Sequence, residues 1–209
     1  MDPIDAVFII AVIMFSAVIH EVAHGVAADK LGDPTARLMG RLTLNPIPHL
    51  DIIGSIFLPL VLALSGSPFL FGWAKPVPYN PYNFVRAPRW GEAIVAGAGP
   101  ASNFLIALVA ASLVRTGWFS PEITSIVFLI IVINVMLGIF NLVPIPPLDG
   151  SKVLSALLPA GLADSYGRLR TTLEFNPFLG LGLVILFIIF LGGDLARLIY
   201  TVAGAFAGI

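Results

Sequence analysis

The motif His20-Glu21-Val22-Ala23-His24 stands inside an apolar stretch that begins at Ile4 and runs without a charge from Ile9 to Phe15. This pairing constrains the chain more than any other feature. Residues four apart share one face of a helix, so His20 and His24 present two imidazoles to one metal ion. Glu21 projects beside them, placed to take a proton from water at that ion, which is the arrangement used for peptide hydrolysis. Polar groups at bilayer depth are expensive, and those that persist there usually serve a function. The pattern therefore points to hydrolytic metal chemistry within a membrane.

Composition agrees. The chain is 58% apolar and 11% charged, with a mean hydropathy of +0.98, whereas soluble domains are about half apolar and a quarter charged. An all-α polytopic membrane protein follows. A net charge of −1 gives no electrostatic footprint for nucleic acid. The absence of cysteine excludes disulfides, thiol catalysis and Cys-based zinc sites. Met1-Asp2-Pro3-Ile4-Asp5 lacks the basic region of a cleavable signal peptide, so the first apolar segment is expected to be retained. No repeat and no long polar stretch marks a further domain. The chain reads as one membrane-embedded domain over 1–209, with a catalytic core over about 4–150 and C-terminal amphipathic and transmembrane helices over 151–209.

Spanning helices are expected over 4–28, 91–114, 123–140 and 176–200, three for the core and one beyond it. Residues 52–64 are apolar but shorter than the ~20 residues a spanning helix needs. Alternation over Arg41–Asn45 suggests a short strand or hairpin, and residues 65–90, with Pro76, Pro78, Pro81 and Pro88, read as an irregular loop. Basic residues cluster in three segments: Lys30, Arg37 and Arg41; Lys75, Arg86 and Arg89; Lys152, Arg168 and Arg170. By the positive-inside rule these are cytoplasmic, which leaves the N-terminus and the 116–121 turn outside. Both flanks of 52–64 then lie on one side, so that segment re-enters the membrane. Irregular backbone at membrane depth must be buried in protein or line a wet cavity. Residues 36–85 are thus expected to pack around the active site.

A catalytic zinc usually has three protein ligands and one open position. His49 is the only other histidine and reads as an interfacial loop residue. The stronger third ligand is Asp149, in Asn141-Leu142-Val143-Pro144-Ile145-Pro146-Pro147-Leu148-Asp149-Gly150. There prolines end a hydrophobic helix and hold Asp149 on a stiff tether near the cytoplasmic end of its span. The span holding His20 and His24 also runs from outside to inside, so both elements reach similar depth.

These residues resemble the site-2 protease family of intramembrane zinc metalloproteases. His20 to His24 matches its HExxH motif, and Asn141 to Gly150 matches its NxxPxPxLDG pattern. Gly97-Ala98-Gly99-Pro100-Ala101-Ser102-Asn103 is similar to the Gly-Pro-x-x-Asn segment of its middle core helix. Gly40 to Pro46, His49-Leu50-Asp51 and Gly72 to Pro78 resemble a small prokaryotic branch without PDZ or CBS domains.

The resemblance implies one zinc per chain, held by His20, His24 and Asp149, with Glu21 as general base. It implies that Asn103 and Asn141 support the substrate backbone or the oxyanion, although hydrogen bonding between helices is an alternative for both. Substrates would be transmembrane helices of other proteins, cut in a prokaryotic cell membrane with the active site toward the cytoplasm. The residues alone also allow iron or cobalt. Gly97 and Ala101 suit either internal packing or contact between copies. A transporter would be expected to show duplicated halves, and this chain shows none.

Overall fold

The computed structural model describes residues 3–57, 61, 64, 73–87 and 89–209. The sequence reads as a single domain, and packing divides it into two compact units, Met1–Arg86 and Ala87–Ile209.

The first unit is built on helix α1, Pro3–Leu31. Its stretch Val7–Leu31 is long and apolar enough to cross a bilayer; 25 residues rise about 37 Å, against a hydrocarbon core of about 30 Å. The helix stops because Gly32 adopts φ 115°. The Gly32 N–H then donates to Asp29 O at 3.1 Å and the Asp33 N–H to Ala28 O at 3.0 Å, closing the last turn as a Schellman motif.

Asp33 next ties distant chain to this end. Its buried carboxylate accepts hydrogen bonds from the Thr35 hydroxyl at 2.6 Å, the Asn80 N–H at 2.7 Å and the Asn83 amide at 2.8 Å. Leu31 O takes the N–H groups of Val85 and Arg86. A short helix α2, Thr35–Leu38, follows at once.

The strand expected over 41–45 does not form; those residues are irregular. The physical reason lies in the segment that Arg41 reaches, Lys75–Pro78. Pro76 and Pro78 have no N–H to give a ladder. The Lys75 N–H goes to His49 O at 2.8 Å and the Val77 N–H to Glu21 Oε2 at 2.7 Å. Thr43 O is bonded instead to His49 Nε2 at 2.9 Å. Ile52–Phe57 forms a π-helical segment opened by Asp51, whose Oδ1 accepts from the Ile53 and Gly54 N–H groups. The re-entry expected of 52–64 involves residues 58–60 and 62–63, which lie outside the described residues.

The second unit contains α3 (Gly91–Arg115), α4 (Pro121–Asn141), α5 (Asp149–Leu157), α6 (Ala160–Phe175) and α7 (Pro177–Ala207). Ser120 caps α4 and Pro121 occupies its first position, as the sequence signals. The core joins Ala107, Ala110 and Ala111 of α3 to Ile131 and Val135 of α4 and to Ile199, Ala203 and Ala207 of α7. Small residues let helix backbones approach where no water drives them together. Helix α7 runs unbroken through Gly192-Gly193 and beyond the expected end at 200, stopping only where Gly208 turns to φ 80°. With no water to replace them, intrahelical hydrogen bonds outweigh the poor helix propensity of glycine. With α1, this gives four helices among the described residues long and apolar enough to cross a membrane, where four were expected.

Burial opposes ionisation of Asp33, but the hydrogen bonds from Asn83, Thr35 and Asn80 outweigh it and hold the carboxyl below its ordinary value of 3.8. The folded state thus favours the charged form. Its contribution is complete above the unfolded value and is lost as pH falls through the lower folded one. Lowering pH from about 5 to about 2 should reduce the protection of the Asn80, Val85 and Arg86 amides, taken relative to the intrinsic exchange rate at each pH, and Asp33→Ala should do the same at neutral pH. Unchanged exchange in both would contradict the latch.

Candidate metal centre

His20 and His24 project from consecutive turns of α1 and are both buried, with ring centroids 4.6 Å apart and planes at 85°. Ligand atoms of His20, Glu21 and His24 all lie within 4.8 Å of one another. Two imidazoles four residues apart on one helix face suit zinc. The cluster therefore fits the ion the motif implies.

Glu21 is held from outside its helix. Its Oε2 accepts the Val77 N–H at 2.7 Å. One turn on, a Cβ on Gly25 would stand 2.6 Å from Leu42 Cδ2 and 2.8 Å from Val77 Cγ1. Only glycine there lets the 75–78 segment lie against α1. His49, also buried, uses Nε2 on Thr43 O and its carbonyl on Lys75 N–H, so it braces this loop and is not part of the metal-ligating cluster.

Asp149, Asn103 and Asn141 belong to the second unit. Asp149 is the first residue of α5. The turns before it are tight: Ile145 N–H to Val143 O at 2.8 Å, Leu148 N–H to Ile145 O at 2.8 Å, and a cis peptide between Pro146 and Pro147. Ser151 closes on Leu148 O through both its N–H and its hydroxyl, and the Tyr166 hydroxyl donates to Pro144 O at 2.9 Å. Burial pushes the Tyr166 hydroxyl up from its ordinary value, which keeps it a donor. The stiff tether expected from the prolines is present.

Residues 116–168, which include the Asp149 tether, match the family model for peptidase family M50. The chain is 37% identical over 188 residues to "Putative zinc metalloprotease YwhC" of Bacillus subtilis (strain 168), covering 83% of this chain and 82% of that protein. It belongs to peptidase family M50. It is also 33% identical over 155 residues to "Putative zinc metalloprotease Rip2" of Mycolicibacterium smegmatis, covering 71% of this chain and 56% of the relative. Identity to "Zinc metalloprotease MJ0392" of Methanocaldococcus jannaschii is 31% over 107 residues, 50% of this chain and 30% of that one. No solved structure matches the chain. Family and apolar helices together make this an integral, multi-pass membrane metalloprotease of the site-2 type.

Within this M50 chain the asparagines differ in setting. Asn103 is fully enclosed, and its amide donates to Asn134 Oδ1 at 3.0 Å across α3 and α4. Asn134 passes the chain on to Ile130 O at 3.0 Å. Asn141, half-buried, donates to Leu137 O of its own helix at 3.0 Å. The hydrogen-bonding roles of Asn134, Arg41 and Asp33 were not read from the sequence. Asn134 had a readable signal, since a lone amide amid Ile123–Phe140 has to find a partner in an apolar setting.

A Cβ on Gly150 would collide with the carbonyls of Leu142 and Val143, whereas nothing lies within 4 Å of one on Gly97. Gly150→Ala should therefore lower stability by about 1–3 kcal/mol through overpacking. Gly97→Ala should leave it unchanged or raise it by up to about 1 kcal/mol. Thermal melts in detergent check this, and equal melting points for the two variants would contradict it.

Proposed function

We propose that this protein is an intramembrane zinc endopeptidase that cuts peptide bonds within or near transmembrane helices of other membrane proteins, as in regulated intramembrane proteolysis. The observation that carries this reading is the compact His20-Glu21-His24 cluster on an apolar helix long enough to cross a bilayer. His20, His24 and Asp149 would hold one zinc per chain. When bound, zinc supplies Lewis acidity, lowering the pKa of water toward neutrality and polarising the scissile carbonyl.

Glu21 accepts a proton from the attacking water as its oxygen bonds to the carbonyl carbon. It then returns that proton to the departing amine nitrogen as the C–N bond breaks. Support of the substrate backbone or oxyanion falls to Asn141 before Asn103, because Asn141 is half-buried and Asn103 is enclosed against Asn134. A substrate helix hides its own amides and must unwind first, so Gly, Ser, Asn or Pro near the cleavage point favours it. The basic segments put the N-terminus outside and the active site toward the cytoplasm.

The test uses a fluorogenic peptide with an apolar helical segment interrupted by Asn-Gly, in micelles with the zinc-loaded protein. Glu21→Gln should lower turnover by about a hundredfold or more while zinc stays bound. Full turnover in the variant would remove Glu21 from the general-base role.

A further inference from the structure

We infer that Arg41 is a positioning residue for the general base. Through the Lys75–Val77 backbone it holds the Val77 N–H against one oxygen of Glu21, leaving the other oxygen to the reacting water. This rests on the proposed role of Glu21.

The side chain of Arg41 is buried, and its Nη2 donates to two consecutive carbonyls, Lys75 O at 2.9 Å and Pro76 O at 3.3 Å. The next peptide group gives its N–H to Glu21 Oε2 at 2.7 Å. From Lys75 to Pro78 the chain has two prolines, so Val77 is the sole donor between Lys75 and Tyr79. Each residue before a proline is confined to extended backbone, which stiffens the segment around that donor. A carboxylate at the end of two flexible torsions has many orientations, and a fixed, charge-assisted hydrogen bond to one oxygen selects among them. Proton transfer needs heavy atoms about 2.6–3.2 Å apart, and a displacement of about 1 Å costs on the order of a hundredfold in rate. Orientation of Glu21 is therefore a catalytic quantity.

The same contact would suit a plug that a substrate must push aside, but the fastening argues against it. The segment is tied at Lys75 to His49 O, at Lys75 and Pro76 to Arg41, and at Asn80 to Asp33. The Val77 side chain is buried in the niche that Gly25 leaves. A strap with buried polar ties along its length is built to stay.

The experiment compares wild type, Arg41→Ala, Arg41→Lys and Glu21→Gln with the same fluorogenic peptide and equal zinc loading. Positioning predicts that Arg41→Ala lowers kcat by about tenfold or more with KM and bound zinc within about twofold of wild type. Arg41→Lys, able to reach one carbonyl, recovers part of the loss, and exchange of the Val77 amide rises in step with the loss of kcat. Unchanged kcat overturns the inference. A raised kcat overturns it in favour of the plug, and a raised KM with kcat intact in favour of substrate binding. If Arg41→Ala does not fold, Val77→Pro deletes the donor within an already proline-flanked segment; lowered kcat supports the inference and unchanged kcat overturns it. Turnover by Glu21→Gln would sink the underlying role and the inference with it. An inactive Glu21→Gln beside a fully active Arg41→Ala would sink the positioning alone.

Discussion

Polar atoms placed on a lipid-length helix must be partnered by protein, and most of the first unit follows from that requirement. Helix α1 has the composition of a membrane span, yet its later half presents His20, Glu21, His24 and Gly25 on or beside one face. Glu21 is partnered by a backbone amide, not bulk water. That amide is available because a proline-rich segment lies against Gly25, and the segment lies there because Arg41, His49 and Asp33 hold it. Three buried polar residues, Arg41 and Asp33 through their side chains and His49 through its carbonyl, thus converge on the placing of one carboxylate.

The second unit meets the same constraint differently. Its helices pack through alanines, so backbone approach replaces the hydrophobic drive that lipid removes. Its buried amides answer one another, Asn103 to Asn134 and Asn134 to Ile130 O, so no side-chain amide of that chain faces hydrocarbon alone. At the 142–150 tether, glycine and proline do what a regular helix cannot. Gly150 admits the Leu142 and Val143 carbonyls, and the tight turns bring the chain into α5 at Asp149.

Much of this was legible before the structure. The four spans follow from unbroken apolar length, the start of α4 from Ser120-Pro121, and the metal cluster from spacing alone, because four-residue intervals on a helix leave little freedom. What could not be read depends on long-range partners. The alternation over Arg41–Asn45 imitates a strand, but strands need a partner with free N–H groups, and the segment that comes near has prolines. Asp33 looks like an ordinary turn residue until Asn80 and Asn83 arrive from some fifty positions away. Helix α7 runs through Gly192-Gly193 to Ala207, past the end expected at 200, because low helix propensity is the smaller term when water is absent.

The central claim is that one zinc joins the two motifs, and metal content tests it without any substrate. Purified wild type should hold about one zinc per chain. His24→Ala and Asp149→Ala, shown to be folded by their melting transitions, should each lose most of it. Zinc retained in full by Asp149→Ala would break the link between the motifs. A wild type that takes up no zinc on resupply would contradict the account as a whole.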